Sequence, residues 1–337
     1  DMKKIFLFAI MAITGMAFTA CNNEWEDELY TQMVSFKAPR GSNGVYNIYM
    51  RYKADGTGQY KLPVIVSGST PNASDIDVKI GIDNDTLDIL NKARFAVGRN
   101  DLWFKQLPER FYSFPSPTCH IPSGKVTANY IIDFNLSGLD LNEKWVLPLT
   151  IEPSSSYTQN MRKGWYKALL NINLFNDYSG RYSATNMNIY IDGTTNDPAV
   201  EDNRLARVVD DHSIFFYAGT VWEEDVNRHK YKVIATFGEG TPDAEGNITG
   251  PVTLTAGDPA NEVGIEQSGN CTYSYRVSKH PTKPYLERRI MTLYLDYKYS
   301  DITSDPSNPI RFHCKGNMTM ERQYNILIPD EEQAILW

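Results

Sequence analysis

The chain has 337 residues, 42% of them hydrophobic and 22% charged, with a formal net charge of −8; that length is a prior of about two domains. The acidic balance argues against nucleic acid and anionic lipid surfaces as partners, since both are held through clustered Lys and Arg. Beyond the first twenty residues no apolar run is long enough to span a bilayer as a helix.

The N-terminal stretch places Lys3 and Lys4 before an apolar run from Ile5, then small residues, then Cys21. This is the layout of a secretory signal over residues 1–20. A cysteine directly after Thr19-Ala20 resembles the lipobox of bacterial lipoproteins, in which the chain is cut before the cysteine and the thiol carries lipid. The alternative is a soluble secreted protein that has a cysteine there. Residues 21–32 follow as an acidic tether, with Glu24, Glu26, Asp27 and Glu28 close behind the lipid position. That cluster resembles the export signals that carry some Bacteroidetes lipoproteins to the outer face of the outer membrane.

From Met33 the pattern is β. Strands are expected over Val45–Tyr52, Tyr60–Val66 and Asp77–Asp83, the last with apolar residues at period two. A brief helical turn is expected from Asp85, read as its cap, to Asn91. Residues 98–118 read as an aromatic-rich loop. Strands then recur at Thr127–Leu136, Trp145–Ile151 and Trp165–Phe175, which gives about seven strands and a β-sandwich over residues 33–175.

Residues 176–337 begin again at Tyr178-Ser179-Gly180. Strand candidates run through Tyr182–Ile191, Arg204–Val209, Ser213–Ala218, Tyr231–Phe237, Val252–Thr255, Glu262–Glu266, Thr272–Val277 and Arg289–Tyr299, then Ile310–Cys314 and Asn317–Arg322. A meander of this many strands suits a closed antiparallel barrel of lipocalin-like form, with a lectin-like sandwich as the competitor. The chain is therefore all-β. Three cysteines besides Cys21 occupy the mature chain; Cys271 and Cys314 are the better pair for a disulfide, against three isolated buried thiols.

The segments Glu24–Glu28 into Val34–Lys37, Ile80-Gly81-Ile82-Asp83, Phe111–Pro115, Ile121–Lys125 and Trp145–Leu149, in that order, resemble a domain family of unknown function common in Bacteroidetes outer-membrane lipoproteins. The resemblance covers about residues 24–175. It implies an Ig-like sandwich at the N-terminus of a surface lipoprotein from a polysaccharide-utilisation locus. The second half is similar to a β-rich C-terminal domain that often follows it. By resemblance the protein is a surface glycan-binding lipoprotein working beside an outer-membrane importer of the starch-utilisation type. The family carries no established binding residues onto this chain.

Enzyme signatures are missing from the sequence. There is no DxxDxDxE strand end, residues 176–337 are fewer than the roughly 250 of a typical (β/α)₈ barrel, and no G-x-S-x-G elbow, HExxH, P-loop or dinucleotide fingerprint appears. The expectation is a protein with no catalytic residues, no metal and no cofactor. The positive lead is aromatic: 21 Tyr, 14 Phe and 6 Trp. A flat aromatic ring stacks on the apolar face of a sugar while polar groups bond its hydroxyls. Loop aromatics are the useful ones. This selects Trp103, Phe104 and Tyr112 in the first half, and Trp222 with Glu223 and Asp225 as hydroxyl acceptors in the second. Tyr297 and Tyr299 share one strand face and Tyr294 takes the other, which reads as sheet packing. The two open alternatives are a structural or adhesive lipoprotein and, further off, a glycosidase of unrecognised type, since 41 acidic residues leave room for a carboxylate pair.

Overall fold

The computed structural model describes residues 30–329 together with Gln333. The leader 1–20, Cys21 and all but the last three residues of the acidic tether lie outside the described residues.

The first half is built from β1 (Met33–Phe36), β2 (Tyr46–Arg51), β3 (Thr57–Ser67), β4 (Ile76–Ile82), helix α1 (Thr86–Arg94), β5 (Phe104–Gln106), β6 (Tyr112–Ser113), β7 (Thr118–Ile121), β8 (Thr127–Asn135), β9 (Lys144–Ile151) and β10 (Lys167–Phe175). They form two sheets, β1-β3-β8-β6 and β2-β10-β9-β4-β7, with β5 added in parallel to β9. Alternation in sequence decides the inner faces. Leu62, Val64 and Val66 of β3, and Tyr130, Ile132 and Phe134 of β8, meet Ile48, Leu147, Leu149, Leu170 and Ile172 from the opposite sheet in one buried cluster. This is the two-sheet sandwich that the strand spacing predicts.

The outer face of the second sheet carries a smaller cluster of its own. Val45, Leu87, Phe104, Val146 and Leu169 are buried there under α1 and β5. The residues from 98 to 118 are therefore not one loop. They hold two 3₁₀ turns and the short strands β5 and β6. Asp85 is not the working cap of α1: its side chain makes no capping bond. Asp83 takes that role, accepting from the backbone N–H of Asp85 at 3.2 Å and Thr86 at 3.3 Å.

The second half comprises β11 (Gly180–Ile191), β12 (Asn203–Val208), β13 (Ser213–Tyr217), β14 (Lys232–Phe237), β15 (Thr241–Pro242), β16 (Ile248–Ala256), β17 (Glu266–Gln267), β18 (Cys271–Lys279), β19 (Leu286–Asp301) and β20 (Ile310–Asn325). Eight of these close into an antiparallel barrel in the order β11-β12-β13-β14-β16-β18-β19-β20, with β20 returning to β11. The barrel, not the lectin-like sandwich, is the outcome. The two short segments expected at Ile310–Cys314 and Asn317–Arg322 are one sixteen-residue strand. Gly316 sits mid-strand with φ +146°, where a Cβ would collide with the Asn186 carbonyl oxygen. Glycine here allows a close approach between strands rather than a turn.

The barrel interior is filled. Tyr182, Phe216, Phe237, Tyr297 and Tyr299 are all buried in its core, and a void between Phe216, Leu295, Tyr297 and Met318 measures only about 10 Å³. Cys271 and Cys314 are free and buried, which corrects the expected disulfide. Strand β19 lies between β18 and β20, so the two cysteines are separated by two strand spacings, about 9–10 Å. A disulfide needs Cα atoms closer than about 7 Å.

Candidate functional site in the interdomain cleft

The two halves are tied at their junction. Asn176 and Ser179 are buried. Asn176 donates to the Asp210 carbonyl at 2.8 Å, and Arg322 donates to the Asn176 carbonyl at 3.0 Å and to that of Ser179. Tyr178 stacks on Phe237 with ring centroids 3.8 Å apart. With the junction held this way, the outer surface of β12–β14 faces the outer face of the sandwich's second sheet. Tyr217 donates to Asn142 at 2.9 Å and Lys232 pairs with Asp140 at 3.0 Å across this boundary. Leu141 packs against both cores.

Helix α1 covers only part of the sheet's outer face. What it leaves bare lines a cleft of about 350 Å³ between the domains. The floor comes from β2 and β10, which run parallel with Asn47 beside Asn171 and Tyr49 beside Asn173. Because inner positions alternate with outer ones, all four side chains fall on the outer face. Asn171 donates to the Asn47 amide oxygen at 2.8 Å, and Asn173 donates to the Asn171 carbonyl at 3.1 Å. Burial pushes the Tyr49 hydroxyl's pKa up. One end wall is aromatic: Phe95 and Phe104 meet edge to face at 5.9 Å. Phe104 is fixed by Asn91, which both donates to and accepts from its backbone at 2.8 and 2.9 Å. Arg94, Lys144 and Glu143 stand nearby on the sandwich, and Leu205, Arg207 and Glu224 face them from the barrel.

The Lys144 ammonium lies 5.4 Å from the Phe95 ring centroid and 5.8 Å from that of Phe104. Burial pulls its pKa down; Glu224 opposes that, while Arg228, Arg207 and Arg94 add to it. A charge clasp closes the side of the cleft. Arg99 grips Asp101 through two bonds of 3.0 Å and donates to the Glu224 carbonyl. Arg228, from the barrel, reaches the Asp101 carboxylate at 3.1 Å and its carbonyl at 2.7 Å. The hydrogen bond from Arg99 holds Asp101 below the usual carboxylate range; burial opposes this, and the ion pair with Arg228 adds to it.

The sequence-selected residues divide. Phe104 lines the cleft, but as the buried first residue of β5 rather than an exposed loop ring. Trp103 is its half-buried neighbour. Trp222, Glu223 and Asp225 sit on the loop that supplies Glu224. Trp222 is 64% exposed, Glu223 pairs with Arg207 at 2.9 Å, and Asp225 caps the turn by accepting from the Asn227 N–H at 2.7 Å. The two separately chosen segments thus meet at one clasp. Tyr112 does not join them: it belongs to β6, in the opposite sheet, and packs on Phe114 at 5.3 Å. Asn47, Asn171, Asn173, Lys144 and Arg207 went unselected. Their one sequence signal is asparagine recurring at alternate positions inside otherwise apolar strands, where it is normally depleted.

A sandwich and a filled barrel joined by a hydrogen-bonded and packed boundary, with a polar and aromatic cleft between them, define a two-domain, nearly all-β protein whose recognisable site is interdomain. Residues 25–155 match the profile of a domain of unknown function, DUF4973, and residues 166–319 match one described as a C-terminal domain. A Bacteroides ovatus structure of unknown function is 43% identical, over 90% of this chain and 100% of that one, with a TM-score of 0.79. Another from the same organism, described as a multidomain protein including DUF1735, is 42% identical over 90% and 99%, TM-score 0.78. A Bacteroides thetaiotaomicron structure described as an auxiliary nutrient binding protein is 34% identical over 88% and 97%, TM-score 0.74. The chain belongs to the family of these two-domain Bacteroides proteins. Comparison with curated protein sequences gives no match.

Proposed function

We propose that this is a non-catalytic, lipid-anchored cell-surface protein that binds an oligosaccharide in the interdomain cleft. It would serve a polysaccharide-utilisation system of the outer membrane, alongside an importer of the starch-utilisation type. The observation that carries the reading is the cleft's chemistry: three asparagine side chains and a tyrosine on one floor, against the Phe95–Phe104 wall. Amides both donate and accept, as hydroxyl-rich ligands require, and aromatic rings suit the apolar face of a sugar. The relative described as an auxiliary nutrient binding protein supports a binding role. Within the cleft Glu143 is tied to Lys105 at 3.0 Å.

The test is affinity electrophoresis of residues 22–337, which hold every described strand, against neutral, uronate-bearing and sulfated polysaccharides. Retardation on at least one is expected, and Asn171→Ala should weaken it about fivefold or more, the loss of one or two hydrogen bonds. No retardation on any polymer sinks the reading.

A further inference from the structure

The charges of the cleft do not balance. Five charged side chains line it: Arg94, Lys144, Arg207, Glu143 and Glu224. Two are neutralised by partners that do not line it, Glu143 by Lys105 at 3.0 Å and Arg207 by Glu223 at 2.9 Å. Arg94 and Lys144 remain against Glu224. Arg94 donates to a neutral group, the Ser42 carbonyl, at 3.3 Å. Lys144 has no carboxylate within 4.0 Å among the described residues and rests against the two phenylalanine rings. A half-buried ammonium resting on ring quadrupoles, with Glu224 acting on it only from beyond ion-pair distance, has lost water without gaining a direct counter-ion. This occurs in a protein of net charge −8, so the local surplus of positive charge is not a reflection of bulk composition. A fixed cation in a concave site draws an anion to it.

Resting on the reading of this cleft as a sugar site, we propose that its ligand is an anionic oligosaccharide. Lys144 and Arg94 hold a carboxylate or sulfate group, and Asn47, Asn171 and Asn173 bond the hydroxyls of adjoining rings. The entering anion supplies the direct counter-ion that Lys144 lacks. Charge-assisted bonds of this kind are stronger than neutral ones, so the acidic group decides which polymer is selected.

The experiment measures Kd for residues 22–337 on matched neutral, uronate-bearing and sulfated polysaccharides, at low and high salt, with Lys144→Met and Lys144→Arg beside the wild type. At least one anionic class is expected to bind about tenfold tighter than the neutral one, with the preference shrinking in high salt. Which anionic class binds tells carboxylate from sulfate recognition. Lys144→Met should erase the preference and Lys144→Arg should keep it. Lys144→Met should also leave the unfolding temperature unchanged or higher, because it removes a poorly compensated charge; a merely structural lysine would lower it. Equal binding of neutral and anionic polymers, or a preference that survives Lys144→Met, overturns the anionic inference and leaves the sugar site standing. No binding to any polymer removes both.

Discussion

Three of the four cysteines, Cys119, Cys271 and Cys314, are free and buried, and their surroundings set their reactivity. Burial pushes the Cys119 thiol up to about 11 and the Cys314 thiol up to about 12, and raises that of Cys271, where a hydrogen bond from the Asp296 N–H works against it. A raised thiol stays protonated and unreactive at neutral pH. Its contribution to stability is whole below the ordinary thiol pKa and is lost as pH climbs through the folded value. Cys21 belongs to the proposed lipid anchor. Residues 22–337 should therefore show no thiol reactivity toward an aromatic disulfide reagent when native. Three thiols should react after unfolding, with or without prior reduction. In the full chain, labelled fatty acid should be incorporated, and Cys21→Ser should abolish it. A deficit of two thiols in the unreduced sample would restore a disulfide; lipid retained by Cys21→Ser would remove the anchor.

Elements fix where the site can be. Helix α1 covers part of an outer sheet face, and its start depends on Asp83, which also pairs with Lys167 at 3.1 Å. Burial works to raise the Asp83 pKa but is outweighed by hydrogen bonds from Thr86, the Asp85 backbone and Lys167, so the net direction is downward. A depressed carboxyl contributes stability above its unfolded pKa and loses it as pH falls through the folded value. Asp83→Ala should cost about 1–3 kcal/mol at neutral pH, and the gap to wild type should start to narrow near the ordinary aspartate pKa of about 4 and keep narrowing as pH falls through the lower folded value. Chemical denaturation at pH 7 and pH 3 measures this; a gap that persists at low pH would mean the carboxylate charge is not what anchors the helix. The strands themselves were legible in the sequence, because period-two alternation survives in both halves, as in Met291, Leu293, Leu295, Tyr297 and Tyr299 along β19. The continuity of β20 was hidden because Gly316 mimics a turn. The cleft was less legible still. Its floor joins Asn47 to Asn171 through a parallel pairing across more than a hundred residues, and only domain docking gives those amides a facing wall. The aromatic criterion found Phe104 and the Trp222 loop, but it favoured exposed rings and so passed over the strand amides.

At the scale of the whole molecule, the cleft exists only while sandwich and barrel hold their relative position. Asp101 is the centre of the clasp beside it: it binds Arg99 of its own domain and Arg228 of the other, whose side chain is only 7% exposed. Asp101→Ala leaves that buried guanidinium with the backbone carbonyls of Asp101 and Asp225 and the neighbouring Tyr217 hydroxyl, but with no carboxylate. Breaking one partner of such a pair, with backbone bonds retained, should destabilise the boundary by about 1–3 kcal/mol. Each domain has its own buried core, so neither should unfold. Calorimetry is then expected to show one transition for the wild type and two for Asp101→Ala, while the far-ultraviolet circular dichroism stays that of a folded β protein. Ligand affinity should fall about fivefold or more, because part of the binding energy is now spent on re-forming the cleft. Saturating ligand should merge the two transitions again, since a molecule seated between the domains stabilises only their docked arrangement. One transition at the wild-type temperature with undiminished affinity would show that the cleft is held elsewhere, by the Asn176–Ser179 junction and the Lys232–Asp140 pair, and that the clasp is incidental to binding.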